Sequence, residues 1–113
     1  MPCLTVQTNV ADANFTDDLV KQLSAKVAQA TGKPEQYVVV HVSAGQKLFF
    51  GGSNEPAAYM ELVSIGLQAS QTANISNQLM SFFDEKFHVN PSRIYIKFTQ
   101  SAGNMFGWNK GTF

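Results

Sequence analysis

The sequence is poor in the residues on which several kinds of site depend. Cys3 is the only cysteine among 113 residues, which excludes an internal disulfide and any two-cysteine redox motif. Arg93 is the only arginine, and the eight basic residues balance the eight acidic ones. No clustered positive charge therefore indicates a nucleic acid or an anionic membrane as a partner. No apolar run approaches the roughly 20 residues of a membrane span.

Sites that need clustered ligands are not indicated either. His41 and His88 lie on different predicted elements and Cys3 has no spaced partner, so we expect no metal. We find neither a glycine-rich phosphate loop nor a nucleophile elbow around a serine. The first residues carry no basic segment followed by an apolar stretch. We therefore expect a cytoplasmic protein in a reducing compartment, although unconventional export would need no such segment.

Hydrophobic spacing predicts one β-α-β unit in the first forty-odd residues. Residues 2–8 are partly β-branched, which predicts a strand that begins at Pro2. Apolar residues recur at helical spacing over 15–30, with Thr16 as the N-cap and Gly32 as the end of the helix. The run 38–42 alternates little, which is typical of a strand covered on both faces.

The second half of the chain repeats this order. Residues 57–65 have the composition of a strand or a helix, but Gly66 follows so soon that a strand is favoured. Apolar residues over 75–87 predict a second amphipathic helix that ends before Pro91. Residues 94–99 alternate between apolar and polar types, as a strand with two different faces should.

These elements predict a single domain over residues 1–113, of the α+β (α/β) class, with a short aromatic tail. Right-handed crossovers would place both helices on one face of a four-stranded mixed sheet. Two helices cannot cover both faces, and the predicted strands carry apolar residues on both sides. We therefore expect copies of the chain to self-associate, although packing alone does not fix their number.

Pro2 is the unusual candidate for a catalytic residue. An initiator methionine is commonly removed before proline, which would leave Pro2 with a free secondary amine. An α-amino group has a pKa of about 8, and burial or a neighbouring cation would lower it toward neutrality. Such a base suits proton abstraction next to a carbonyl. A proline at the start of an edge strand also needs no catalytic explanation, and composition and pattern alone favour that interpretation.

Further information comes from short segments that are weak singly but specific in their order and spacing. They are Met1-Pro2-Cys3-Leu4, Thr8-Asn9-Val10, Thr31-Gly32-Lys33-Pro34, Tyr37-Val38-Val39-Val40, Phe50-Gly51-Gly52-Ser53 with Glu55-Pro56, Ser64-Ile65-Gly66, Arg93-Ile94-Tyr95-Ile96 and Gly107-Trp108-Asn109. Across essentially its whole length, the chain resembles the macrophage migration inhibitory factor and D-dopachrome tautomerase family, particularly its plant-like and microbial members. The resemblance implies a homotrimer with a pocket at each subunit interface and an N-terminal proline in each pocket.

The resemblance also implies roles for eight residues. Pro2 is the base, Lys33 is the cation that faces a substrate carboxylate or enolate, and Ile65 is a wall and backbone donor. The other implied pocket residues are Tyr37, Tyr95, Lys97, Phe106 and Trp108. By pattern alone, the aromatic residues are equally typical of core or interface packing, and Lys33 is typical of a solvated cation after a helix C-terminus.

Two departures from the family pattern bear on activity. Animal cytokine members carry a Cys-x-x-Cys segment where this chain has residues 57–60, Ala-Ala-Tyr-Met, so we expect no thiol redox chemistry. Lys97 replaces an asparagine of the animal members at the pocket mouth. This second cation would either attract carboxylate substrates and lower the amine pKa, or obstruct the pocket by pairing elsewhere.

The resemblance implies a cofactor-independent keto–enol tautomerase for phenylpyruvate-like 2-oxo acids or dopachrome-like quinones. The alternative is a cytokine-like signalling protein that binds a protein receptor and keeps only vestigial tautomerase activity. A third interpretation follows relatives that use the same proline for decarboxylation or hydration. Those sites usually recruit several arginines, and Arg93 is the only one here.

Overall fold

The chain folds as two β-α-β units and a short hairpin in a computed structural model that describes residues 1–113. The elements are β1 (Cys3–Thr8), α1 (Asp17–Thr31), β2 (Val39–Ser43), β3 (Ala58–Ile65), α2 (Ala69–Phe87), β4 (Ile94–Ser101), β5 (Gly107–Trp108) and β6 (Gly111–Thr112). The two predicted helices and the four predicted strands are confirmed. The hairpin of β5 and β6 was not predicted.

The four long strands form one mixed sheet in the order β2-β1-β3-β4. Each unit pairs its own two strands in parallel, β1 with β2 and β3 with β4, as a helical crossover requires. The units join through the antiparallel pair of β1 and β3 in the centre of the sheet. The register places Cys3 opposite both Val39 and Val63, and Tyr59 opposite Tyr95. The predicted mixed sheet is confirmed.

Local signals fix the helix ends as the sequence indicated. The Thr16 hydroxyl accepts a hydrogen bond from the Leu19 N–H at 3.2 Å, which satisfies one of the free donors at the start of α1. Gly32 ends α1 in the left-handed conformation at φ 70°. His88 takes the same role after α2 at φ 58°, a conformation that costs more for a residue with a side chain.

Both helices pack on one face of the sheet, as predicted. Alternate residues of β1 and β3 point toward the helices and are buried, among them Leu4, Val6, Met60 and Leu62. The helices meet this layer with the buried residues Leu23 and Val27 of α1, and Ile75, Leu79 and Phe83 of α2. Neither helix is long and apolar enough to cross a membrane.

The opposite face of the sheet is uncovered within one chain. Val39 of β2 is 54% exposed and Tyr95 of β4 is 65% exposed. β2 is therefore not covered on both faces by its own chain, because the helices occupy only one side. The open face is also more polar than predicted, since His41, Glu61 and Lys97 lie on it beside the apolar residues.

Candidate active site

A largely apolar cavity of about 230 Å³ surrounds the N-terminus of the chain. Pro2 lies there because it directly precedes β1, and Tyr37 arrives from the 3-10 turn (Glu35–Tyr37) that leads into β2. Phe106 and Trp108 come from the segment around β5. The structure therefore brings together four residues that the resemblance assigned to one pocket, from three distant parts of the sequence.

The cavity wall includes an aromatic residue that the sequence analysis missed, Phe113. Its ring stacks on Trp108 with centroids 4.9 Å apart and planes 12° apart. Tyr37 meets Trp108 and Phe113 edge-on, at 5.7 Å and 5.8 Å. Offset stacks and edge-to-face contacts are the arrangements that aromatic quadrupoles favour, so contacts between its own rings stabilise this aromatic cluster without a ligand.

The hairpin explains how Phe113 reaches the cavity. Asn109 and Lys110 both have positive φ, 50° and 67°, which is the geometry of a tight two-residue turn between β5 and β6. The returning chain ends with the Phe113 N–H donating to the Phe106 carbonyl at 3.2 Å. The signal in the sequence was Asn109-Lys110-Gly111 placed between two aromatic residues. Neither strand is long enough for its alternation to be recognised.

The environment of the N-terminus disfavours a positive charge. Pro2 is fully buried, and its carbonyl accepts a hydrogen bond from the Val39 N–H at 3.0 Å. Burial lowers the pKa of the Met1 α-ammonium below its ordinary value of 8.0, and the charge of Lys33 lowers that pKa further. The surroundings of the Met1 α-amino group therefore favour its neutral form more than water does.

Lys33 and Ile65 lie beside the cavity without forming its wall. Lys33 directly follows the Gly32 cap of α1, and its Nζ would lie 3.9 Å from a Cβ built on Gly66. Ile65 is the last residue of β3, two positions beyond the Val63 that faces Cys3. The ammonium of Lys33 therefore reaches the end of β3 that adjoins the N-terminus.

Tyr95 and Lys97 lie elsewhere in the same chain. They face Tyr59 and Glu61 across β3 and β4, and Tyr59 is four residues before Val63 on β3. Along the strand direction, Tyr95 therefore lies about 13 Å from the level of Cys3, and Lys97 lies about 7 Å from it. Tyr95 instead packs edge-on against Phe50 at 4.9 Å, at the rim of a second apolar hollow of about 260 Å³.

The only arginine is engaged in holding a loop. The Arg93 guanidinium donates hydrogen bonds of 3.1 Å to four carbonyl oxygens, and it also lies over the Phe50 ring at 5.3 Å. The four acceptors belong to Phe50, Ser53, Glu55 and Pro56. Arg93 is thus not free to bind a substrate anion, and Lys33 is the cation that adjoins the cavity.

Two further observations bear on the chemistry near Pro2. Cys3 lines the cavity, and burial raises the pKa of its thiol above the ordinary 9.0, which keeps the thiol neutral. No group of three or more His, Cys, Asp or Glu side chains is placed to hold a metal ion. A larger groove of about 510 Å³ lies between the two helices, but its lining is mostly polar and shares no residue with the cavity at the N-terminus.

Comparison with known proteins agrees with this architecture over the whole chain. The model of the family described as macrophage migration inhibitory factor (MIF) matches residues 1–113. The macrophage migration inhibitory factor of Mus musculus is 39% identical over 114 residues, which cover 100% of this chain and 99% of the mouse protein. The macrophage migration inhibitory factor homolog of Trichinella spiralis is 37% identical over 114 residues, which cover 100% of both chains.

Solved structures give the same result. The macrophage migration inhibitory factor from Trichinella spiralis superposes with a TM-score of 0.93 at 36% identity, covering 98% of this chain and 99% of that one. The homologue from Prochlorococcus marinus superposes with a TM-score of 0.89 at 33% identity, covering 98% of each chain. The chain therefore belongs to the macrophage migration inhibitory factor family.

Proposed function

We propose that the protein is a cofactor-independent keto–enol tautomerase whose base is the secondary amine of Pro2, freed by removal of Met1. Membership of the family supports a tautomerase or cytokine-like function. The observation that carries the proposal is the buried Pro2 at an aromatic cavity, where burial and Lys33 lower the pKa of the neighbouring Met1 α-ammonium. A base with a pKa near the working pH is the group that this reaction requires.

The proposed reaction moves one proton. The neutral Pro2 amine takes the proton from the enol oxygen and gives it to the carbon next to the one that bears that oxygen. The oxygen becomes a carbonyl, and no co-reactant is needed. Lys33 stabilises the negative charge that develops on the substrate oxygen or is carried by its carboxylate. Trp108, Phe113 and Tyr37 accommodate an aromatic ring, which favours phenylpyruvate-like 2-oxo acids or dopachrome-like quinones as substrates.

The proposal includes a homotrimer in which a neighbouring subunit completes each site. Two features support it: the sheet face opposite the helices is uncovered, and Tyr95 is 65% exposed. Lys97 lies on the same open face and does not line the cavity of its own chain, so we expect it to approach a cavity from another copy. There it would either draw in a carboxylate or pair with a different group and narrow the mouth.

Shared sites have a specific test. Pro2→Gly and Tyr95→Ala chains are prepared separately, then unfolded and refolded together. If each site uses both residues from different subunits, the mixture regains activity that neither variant has alone, because some interfaces combine two unmodified residues. Sedimentation of the same mixture checks the trimer. A mixture no more active than its parents contradicts the shared site.

The catalytic proposal is tested with a protein of known N-terminus. Intact mass spectrometry establishes whether Met1 is absent, and the ultraviolet absorbance of enol-phenylpyruvate reports turnover. We expect the processed protein to be active, and Pro2→Gly or retained Met1 to abolish turnover. Pro91→Ala is the matched control, because this proline begins a 3-10 turn remote from the cavity. Undiminished rates with Pro2→Gly or with retained Met1 would refute the mechanism.

A cytokine-like interaction with a protein receptor is the second candidate. The names of the relatives favour it, and the exposed Met105, 79% accessible beside the cavity segment, offers surface for a partner. One variant distinguishes the two candidate functions. If the Pro2→Gly protein keeps the biological response while turnover is lost, signalling is the function and catalysis is vestigial.

A further inference from the structure

One buried hydroxyl in the fold has no hydrogen-bond partner, that of Ser64 at the end of β3. Ser64 is 1% exposed, and its Oγ is the single buried side-chain oxygen or nitrogen that is left unpaired. The other buried hydroxyls are satisfied: Thr8 donates to the Ala57 carbonyl at 2.6 Å and Thr31 donates to the Val27 carbonyl at 2.7 Å. An unpaired buried hydroxyl is costly, so its retention needs an explanation.

The strand register shows what lies opposite Ser64. Cys3 faces Val63 in the antiparallel pair of β1 and β3, and the next step of that pairing sets Pro2 against Ser64. Both residues are buried and belong to the side of the sheet that faces the helices, because they alternate with Cys3 and Val63. Residues directly opposite each other in such a pair have Cβ atoms about 5 Å apart.

The chemical state of Pro2 decides whether it can serve as a partner. When Met1 is attached, the Pro2 nitrogen is a tertiary amide with neither a hydrogen nor an available lone pair. When Met1 is removed, the same nitrogen becomes a secondary amine that carries one hydrogen, or two when protonated. The hydroxyl that is unpaired in the chain bearing Met1 thus gains a neighbour that can donate to it.

We propose that Ser64 is a positioning residue for the base, and that its Oγ accepts a hydrogen bond from the N–H of the freed Pro2 amine. The catalytic role of Ser64 depends on the proposed function, whereas the hydrogen bond itself does not. A neutral secondary amine has one N–H and one lone pair. With the N–H held by Ser64 on the helix side, the lone pair points away from the core and toward the cavity that Tyr37 and Trp108 line.

The hydrogen bond has a second, electrostatic effect. An acceptor on the N–H stabilises the ammonium form more than the neutral form, so Ser64 acts against burial and the charge of Lys33, which lower the pKa of the α-ammonium of Met1, one residue earlier. The other titratable groups around this nitrogen are Cys3 on its own strand and Tyr37 on the turn before β2. Removing the Ser64 hydroxyl should therefore lower the pKa of the Pro2 amine.

The experiment compares Ser64→Ala with the unmodified chain in two forms, with Met1 removed and with Met1 retained, each verified by intact mass. The pKa of the Pro2 amine is measured by nuclear magnetic resonance titration of ¹³C-labelled proline, which needs no substrate. We expect Ser64→Ala to lower this pKa by about one pH unit, the size of a hydrogen bond to a charged group. Ser64→Thr keeps the hydroxyl and should restore the value.

Thermal stability supplies the second readout. With Met1 retained, Ser64→Ala should leave the melting temperature unchanged or raise it, because it removes an unpaired buried hydroxyl. Thr8→Val is the matched control at the far end of the same strand pair, where the hydroxyl has partners. That control should lower the melting temperature of both forms and leave the Pro2 pKa unchanged.

Two results would overturn the proposal: an unaltered Pro2 pKa in processed Ser64→Ala, or a melting temperature that Ser64→Ala lowers equally in both forms. The second result would mean that the hydroxyl has another partner. The proposed function fails independently, if processed unmodified protein turns over no enol substrate. In that case a lowered pKa in Ser64→Ala would still establish the Ser64–Pro2 hydrogen bond.

Discussion

Replacing Arg93 should show how much of the fold depends on one side chain that holds a loop. Its guanidinium joins the start of β4 to four carbonyl oxygens of the loop between β2 and β3. Arg93→Ala removes all four donors and the contact with the Phe50 ring. The carbonyl groups then need water or a new conformation of the loop.

The expected loss follows from the number and exposure of these bonds. A hydrogen bond to a charged group contributes roughly 1.5 to 3 kcal/mol when buried. Arg93 and two of its acceptors are partly exposed, so water replaces much of each bond, and the four bonds are not additive. We expect Arg93→Ala to lower the free energy of unfolding by about 3 kcal/mol. In a chain of this length that corresponds to a fall of about 12 °C in melting temperature.

The assay is urea unfolding followed by circular dichroism, with calorimetry for the melting temperature. Arg93→Lys keeps the charge but replaces a planar fork by a single ammonium, so we expect it to recover less than half of the loss. Lys21→Ala on the exposed side of α1 is the control for removing one positive charge, and it should change stability by less than about 0.5 kcal/mol.

The loop also carries Phe50 against Tyr95, so the same variant tests the shared site. If Tyr95 serves a neighbouring subunit, Arg93→Ala should raise KM for an aromatic substrate while leaving the amine pKa unchanged. A loss below about 1 kcal/mol would refute the reasoning about stability, since four charge-assisted bonds would then contribute no more than one ordinary bond.

Three further predictions concern the surroundings of the cavity. Lys33→Gln should raise the pKa of the N-terminal amine, because a nearby positive charge disfavours the ammonium form. The rise of the pH–rate profile should then move to higher pH. Burial, the larger cause of the lowered pKa, remains in the variant. Gly103→Ala should displace Phe113, because the backbone oxygen of Phe113 lies 2.9 Å from the added Cβ. We expect it to lower the free energy of unfolding by about 2 kcal/mol and to shift the fluorescence of Trp108, on which Phe113 stacks. An unchanged spectrum would contradict this. Cys3 should react with iodoacetamide at pH 8 more slowly than free cysteine and lose that protection in denaturant, because burial raises its pKa above 9.0.

The fold was predictable because its signals are local. Thr16 and Gly32 fix the ends of α1 through interactions within a few residues, and alternation identifies β4 without reference to other strands. The placement of both helices on one face of the sheet then follows from crossover handedness. The ambiguous segment, 57–65, was resolved correctly by Gly66, which has φ 72° and closes the strand.

The site was less predictable because its contacts join distant residues. Nothing near Arg93 indicates that its partners lie about 40 residues earlier, and a lone arginine is as typical of a substrate site as of a loop clamp. Phe113 was missed because a two-residue strand carries no alternation. The resemblance placed Tyr95 in the pocket, whereas one chain holds it far from Pro2, so this assignment stays a prediction about a pair of subunits.

The position of the cavity accounts for how reactive groups coexist with a tightly packed sheet. Pro2 precedes the first strand, Lys33 follows a helix cap and Phe113 follows the last strand, so each belongs to the end of an element. The backbone groups at such ends are not all needed by a ladder or a helix. Variation of Lys33 should therefore change the amine pKa and substrate choice with little loss of stability, whereas Pro2 is fully buried and Phe113 is stacked on Trp108. Ser64 is the exception, because it lies within the sheet and faces the core, so its hydroxyl is retained there at a cost that the freed amine would offset.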